Sequence, residues 1–207
     1  MISRAQALED VEAWVRDRLE SNPAPGHGWY HVDRVRRLAV FLARAEGVDP
    51  WLAELAALIH DVGRTAPGPD VQHGLRSAEM ARPVLARLPL SEQEREELLH
   101  AVRWHNSGRA DAPLLRVLRD ADMLDGLGAI GLMRAFMSKA SLPPYDVAAP
   151  FEGEDPWPPR SAADQVRGQM GWLPNLNTPT ARSLAEKRLA FMQAFVDQVR
   201  RELMDQE

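Results

Sequence analysis

Apolar residues recur at intervals of three and four along almost the whole chain, and no stretch of useful length alternates apolar with polar. That spacing stacks side chains on one face of a helix, whereas a half-buried strand needs a period of two. The pattern restricts the chain to an all-α fold. Ala5, Leu8, Trp14, Val15 and Leu19 form a first stripe, which Ser21-Asn22-Pro23-Ala24-Pro25-Gly26 ends with two prolines and a glycine. Val32, Val35, Leu38, Ala39, Leu42 and Ala45 form the next, stopping before Gly47. Asp49-Pro50 reads as an N-cap followed by proline at the first helical position. The helix it opens carries Leu52, Leu55, Ala56 and Ile59 and should end near Gly63.

Residues 65–71 read as a loop, and His73 to about Arg87 as a further helix. Ser91-Glu92-Gln93-Glu94 is a capping box with acidic residues in the first turn, where the helix dipole favours them. Its helix passes Leu98, Leu99 and Val102 to reach His105 and breaks at Asn106-Ser107-Gly108. Pro113 opens a helix with Leu114, Leu115, Leu118 and Asp122, and another is expected from about Gly126 to Lys139. Six prolines within residues 143–159 mark a long loop, of the kind that is usually a functional lid or disordered. Thr178 or Thr180 caps a last helix, about 180–204, with Leu184, Met192, Phe195, Val199 and Leu203 on one side. A chain of 207 residues suffices for one well-buried core, so the expectation is a single helical-bundle domain over 1–207.

Composition removes several chemistries. The absence of cysteine excludes disulfides, thiolate nucleophiles and cysteine-based zinc or iron–sulfur sites. A metal would have to be held by nitrogen and oxygen, which suits Mn²⁺, Mg²⁺, Fe²⁺, Co²⁺ or Zn²⁺. The net charge of −5 argues against nucleic acid as a partner. The longest apolar stretch, Leu52 to Ile59, is too short to span a bilayer, and the N-terminus lacks a signal-peptide pattern, so a cytoplasmic location is the default. Lys139 and Lys187 are the only lysines, which makes arginine forks the expected clamps for anionic groups.

Histidine and aspartate then appear where apolar residues belong. All six histidines (His27, His31, His60, His73, His100 and His105) lie within residues 27–105. His31 is in line with Val35, Leu38 and Leu42, and His60 sits above Ala56 and Ala53. Asp122 follows Leu115 and Leu118 on an apolar stripe, where a carboxylate must be paired, protonated or metal-bound. Two imidazoles and two carboxylates from His31, the His60-Asp61 pair and Asp122 would make a mixed nitrogen–oxygen site, with positions left for water and substrate.

Gly28-Trp-Tyr-His31-Val-Asp-Arg-Val35, Ala56-Ala-Leu-Ile-His60-Asp61-Val-Gly-Arg64 and Arg119-Asp-Ala-Asp122-Met-Leu-Asp-Gly-Leu-Gly-Ala-Ile-Gly131 resemble, in residue type, order and separation, the HD superfamily of metal-dependent phosphohydrolases. The last stretch, with Asn177-Thr-Pro-Thr-Ala181 and Ala185-Glu-Lys-Arg188 before Phe191-Met192, resembles its bacterial nucleotide pyrophosphatase branch. The resemblance implies His31, His60, Asp61 and Asp122 as metal ligands, with Mn²⁺ first and Mg²⁺, Co²⁺, Fe²⁺, Ni²⁺ or Zn²⁺ as other divalent cations. It implies that His73 and His105 bind a second ion or face substrate phosphate and take part in catalysis with Asp61. Arg64 becomes a phosphate contact, and Asp125, with Asp120 beside it, a support behind the ligands; His27 and His100 stay open. The reaction implied is hydrolysis of a phosphate ester or anhydride, with a nucleoside triphosphate as the first substrate and a monophosphate as the next. The competing readings are a catalytically silent nucleotide sensor and a di-iron oxygenase on the same scaffold. A homodimer is compatible with the chain, though no feature demands one.

Overall fold

The computed structural model describes residues 2–21, 26–108, 111–153 and 155–204, so the turn expected at Asn22–Pro25 lies outside the described residues. Among the described residues all regular structure is helical, as nine α-helices and three short 3-10 turns. The contacts group the chain into two compact units, Met1–Asp122 and Met123–Glu207.

The first unit is organised around α3 (Pro50–Ile59), which packs against α1 (Arg4–Ser21), α2 (Trp29–Glu46), α4 (His73–Leu85) and α5 (Glu92–Trp104). Eight of its ten residues are buried, from Trp51 to Ile59 with Glu54 as the exception. Apolar character around the whole circumference is what a helix enclosed by others requires. Each of Leu52, Leu55, Leu58 and Ile59 contributes about 1.5–3 kcal/mol by leaving water. The expected punctuation is present. The Asp49 carboxylate accepts from the Trp51 amide with Pro50 between them, and Ser91 and Glu94 form a reciprocal capping box at the start of α5. On α2 the buried stripe is His31, Val32, Val35, Ala39, Leu42 and Ala43, while Leu38 is only half-buried and Ala45 is exposed.

Gly63 brings α3's end against α4. It lies in the 3-10 turn Val62–Thr65, where its N–H donates to Ser77 Oγ at 2.8 Å and its carbonyl accepts from Arg76 Nε at 2.9 Å. A Cβ at this position would fall 2.5 Å from the Ser77 amide nitrogen and well inside contact distance of the His73 carbonyl. Only glycine allows the two backbones this close.

Helix α6 (Pro113–Asp125) closes the first unit, and its final turn opens the second, which contains α7 (Gly128–Ser138), α8 (Ala162–Met170) and α9 (Pro179–Leu203). Helix α7 packs on both α8 and α9. The apolar pattern did not disclose α8, although Ser161 and Asp164 form a full capping box at its start. The buried stripe of α9 is Ala181, Ala185, Met192 and Val196; Leu184, Phe195 and Val199 lie at its flanks and Leu203 is exposed. Residues 143–159 hold no helix among the described residues, yet they are tied down. Pro143 and Pro144 carbonyls accept the Ala162 and Ala163 amides at 2.9 Å. Arg167 reaches the carbonyls of Glu152 and Gly153, and Arg200 that of Phe151. Among the described residues no helix is long and apolar enough to cross a membrane.

Candidate metal centre

The candidate site lies wholly within the first unit. His31 is in the first turn of α2, His60 follows the last residue of α3, Asp61 comes next in the chain, and Asp122 stands on α6. The first three are buried, and the Asp122 side chain keeps 31% of its surface exposed. Their donor atoms converge. His31 Nε2 lies 3.3 Å from His60 Nε2, 3.5 Å from Asp61 Oδ2 and 3.4 Å from Asp122 Oδ1. His60 Nε2 lies 3.7 Å from Asp61 Oδ2 and 4.0 Å from Asp122 Oδ1. Donors about 2.1 Å from one ion sit roughly 3–4 Å apart, so these separations suit a common divalent cation.

Hydrogen bonding on the far side of three rings decides which nitrogen faces inward. His60 Nδ1 is 2.7 Å from the Ala57 carbonyl, His73 Nδ1 is 2.7 Å from that of Asp70, and His105 Nδ1 is 2.7 Å from that of Val102. A carbonyl only accepts, so each Nδ1 carries a proton, and each ring turns its Nε2 to the site. Each ring also occupies the position that ends a helical element: α3 for His60, the 3-10 turn Asp70–Gln72 for His73, and α5 for His105.

The result is a buried crowd of acceptors. Burial opposes charge on Asp61, but its neighbour His60 and the hydrogen bond from His27 hold its carboxyl well below the usual range. Burial also opposes charge on Asp122, and His60 and His31 more than offset it, so its carboxyl is lowered too. Burial lowers His60 and pushes His105 down to about 3, which keeps both rings neutral and able to ligate near neutral pH. Lone pairs and carboxylates facing one another out of water call for a cation among them. The donor set fits a nitrogen–oxygen metal site.

Asp61 faces two ways. Its Oδ2 points to His31, His60 and Asp122, whereas Oδ1 is 2.9 Å from Arg64 Nε, 3.2 Å from His73 Nε2 and 3.9 Å from His105 Nε2. His73 and His105 bring their Nε2 atoms within 3.0 Å, and Arg64 Nη2 lies 3.3 Å from His73 Nε2 while Nη1 pairs with Asp70. The structure therefore gathers His31, His60, Asp61, Arg64, His73, His105 and Asp122 at one place. With His27 they form three sets, His27–His31–Asp61, His31–His60–Asp122 and His60–Asp61–His105, within each of which the donor atoms lie within 4.8 Å of one another.

The remaining candidates divide. His27 belongs to the site, with Nδ1 2.8 Å from Asp61 Oδ2. Its only local signal is the four-residue spacing to His31. His100 is at the surface, with Nε2 3.0 Å from the Asp111 carboxylate. Asp125, expected to support the ligands, has its carboxylate 2.9 Å from Arg134 within the second unit. Asp120 is buried on α6.

Comparison with known proteins agrees with the motifs. A family model described as HD domain matches residues 28–127. The chain is 30% identical over 203 residues to YpgQ of Bacillus subtilis, a protein described as uncharacterised, covering 94% of this chain and 93% of that one. The crystal structure of YpgQ in complex with ADP superposes with a TM-score of 0.71, covering 94% of this chain and 97% of YpgQ. An HD-superfamily hydrolase from Bacillus thuringiensis does so with a TM-score of 0.73 at 26% identity, covering 97% and 98%. The chain is also 29% identical over 132 residues to a symmetrical bis(5'-nucleosyl)-tetraphosphatase of Bacillus subtilis, covering 56% of this chain and 68% of that enzyme.

Proposed function

Because this chain belongs to the HD-domain family of metal-dependent phosphohydrolases, we propose that it hydrolyses a nucleotide, cleaving a nucleoside triphosphate to release pyrophosphate in the first reading and a nucleoside monophosphate in the next. The observation that carries the reading is the division of Asp61, with one oxygen among His31, His60 and Asp122 and the other among Arg64, His73 and His105. The ADP bound to YpgQ and the dinucleotide substrate in the name of the tetraphosphatase support a nucleotide as the ligand class.

His31, His60, Asp61 and Asp122 would hold the divalent cation, with Mn²⁺ first. When bound, such an ion supplies Lewis-acid polarisation of a phosphoryl oxygen and lowers the pKa of water. The chain's own groups do the rest. Arg64 offers a guanidinium to phosphate oxygens and could release Asp70, which is exposed, to do so. His73 Nε2, held beside His105 Nε2, can accept a proton from the attacking water, and Asp61 orients both sets. Burial of Asp61, His60 and His105 keeps competing water away from the reacting centre.

A second reading is favoured by one distance. With both Nδ1 atoms committed to carbonyls, the 3.0 Å approach of His73 Nε2 to His105 Nε2 needs a proton or a cation between them. A second metal ion shared through Asp61 Oδ1 would meet that need, at the cost of displacing Arg64. Two iron ions there would also admit oxygenase chemistry.

The test is a chelated and reloaded enzyme screened with Mn²⁺, Mg²⁺, Co²⁺, Fe²⁺, Ni²⁺ and Zn²⁺ against nucleoside tri-, di- and monophosphates and simple phosphate esters. Metal content is measured alongside, with Asp61→Ala as control. The expected result is metal-dependent release of pyrophosphate or phosphate that the variant abolishes. Stoichiometric metal binding with no turnover on any substrate would refute hydrolysis and leave a nucleotide sensor; one or two ions per chain decides between the two metal readings.

A further inference from the structure

His27 differs from the other site histidines in how it faces Asp61. His60, His73 and His105 turn Nδ1 to a backbone carbonyl and Nε2 to the site. His27 instead brings Nδ1 to 2.8 Å from Asp61 Oδ2, with its ring edge-on to His31 at 5.2 Å between centroids. It lies on the connection between α1 and α2, between Gly26 in a left-handed conformation (φ 79°) and Gly28 at the start of α2. The ring thus reaches Asp61 from outside any helix, and 29% of its side-chain surface stays exposed.

The direction of this bond follows from Asp61. Its other oxygen pairs with the Arg64 guanidinium at 2.9 Å, and that positive charge holds the group as a carboxylate, which can only accept. His27 Nδ1 must donate. Oδ2 has two lone pairs, and a donor on one leaves the other turned toward His31, His60 and Asp122. Without that donor, Oδ2 keeps the looser 3.5 Å approach of His31 Nε2, and the short hydrogen bond that restrains the side chain is on the Oδ1 side.

We propose that His27 is a positioning residue, whose Nδ1–H holds Asp61 Oδ2 in the orientation that the metal-binding donors require. It rests on reading His31, His60, Asp61 and Asp122 as a metal site. Outer hydrogen bonds of this kind orient ligating carboxylates, and their loss typically costs 10–100-fold in metal affinity. His27→Ala removes the donor. His27→Asn keeps one, because the side-chain amide nitrogen of asparagine falls near the place of Nδ1.

Mn²⁺ affinity of the full-length chain, measured by calorimetry and by the loss of the free-ion EPR signal, separates the cases without recourse to turnover. The expected result is affinity about 10–100-fold weaker in His27→Ala and largely restored in His27→Asn. Wild-type affinity in His27→Ala would overturn the positioning role alone. Equal loss in both variants would overturn it in favour of direct ligation by the imidazole. Failure of the wild-type chain to bind any Mn²⁺ would overturn the metal reading and this inference together.

Discussion

Gly63→Ala puts the joint between the His-Asp turn and α4 under direct test. The added Cβ would lie 2.5 Å from the Ser77 amide nitrogen, 2.8 Å from Ser77 Oγ and closer still to the His73 carbonyl. Two of these three atoms are backbone, and the shortfall from ordinary contact is about an ångström, so α4 has to move as a body. Overpacking of this kind costs about 1–3 kcal/mol, and loss of the Gly63–Ser77 hydrogen bond adds about 1 kcal/mol. Reduced freedom of the unfolded chain returns about 0.4–1 kcal/mol. The net expectation is about 1–3.6 kcal/mol, which for a chain of this length lowers Tm by roughly 2–14 °C. Calorimetric or circular-dichroism melting in excess chelator measures it without interference from bound metal. Gly28→Ala is the control, since its Cβ meets nothing within 4 Å and its φ of −81° is ordinary for any residue. That variant should stay within about 2 °C of wild type, because the roughly 1 kcal/mol lost by placing alanine at an N-cap is offset by about 0.4–1 kcal/mol from reduced freedom of the unfolded chain. A Gly63→Ala protein that melts with the wild type would show that α4 is not held against the turn at this distance.

Metal should stabilise the fold by mass action: Mn²⁺ at 100 times its Kd adds about 2.7 kcal/mol, hence roughly 5–11 °C in Tm, and chelator should remove it. A Tm indifferent to both would refute a metal held by the native state alone. Ser91→Ala dissolves the α5 capping box, where Ser91 Oγ accepts the Glu94 amide at 3.2 Å and the Glu94 carboxylate accepts the Ser91 amide at 2.7 Å. It should cost about 1 kcal/mol in denaturant titration and leave Mn²⁺ affinity unchanged; a lowered affinity would mean that this cap also governs His105 at the far end of the helix.

Much of this molecule is written locally, and the limits of that legibility are physical. Asp49-Pro50 and Ser91–Glu94 announce helix starts because the caps satisfy amides a few residues away. Asp122 stands out because a carboxylate among Leu115, Leu118 and Leu114 breaks an apolar stripe, and the structure brings it to the His31–His60–Asp61 cluster. Helix α8 shows no such contrast. Its buried face includes Asp164, Gly168 and Gln169, with Trp157 closing on Gly168, so polar and small residues fill positions where periodicity expects apolar ones. The α9 stripe shifts for a related reason, since close packing selects the small Ala181 and Ala185 over the larger Leu184. His27 was open in the sequence because no helical period contains it. Its contact with Asp61 spans 34 residues, and tertiary structure alone supplies it.

The way three helical elements end explains why histidine, and not another ligand, stands at this site. The last carbonyls of a helix have no amide partner within it and must find a donor elsewhere. His60 and His105 supply one to the carbonyl three residues back, and His73 adds a second donor to the Asp70 carbonyl, which already accepts its own amide, so the group that ends each element also has its Nδ1 proton fixed by that element. A carboxylate in the same place could not donate, and a lysine or arginine could donate but would bring positive charge where lone pairs are needed. Imidazole alone satisfies the carbonyl with one nitrogen and offers a neutral lone pair with the other. Three such endings are brought close by the packing of α3, α4 and α5, and Asp61, directly after the first of them, supplies the charge that the rings lack. Termination of the helices and assembly of the site are thus one set of hydrogen bonds, which is why an acceptor-rich cluster can persist in the interior of so helical a fold.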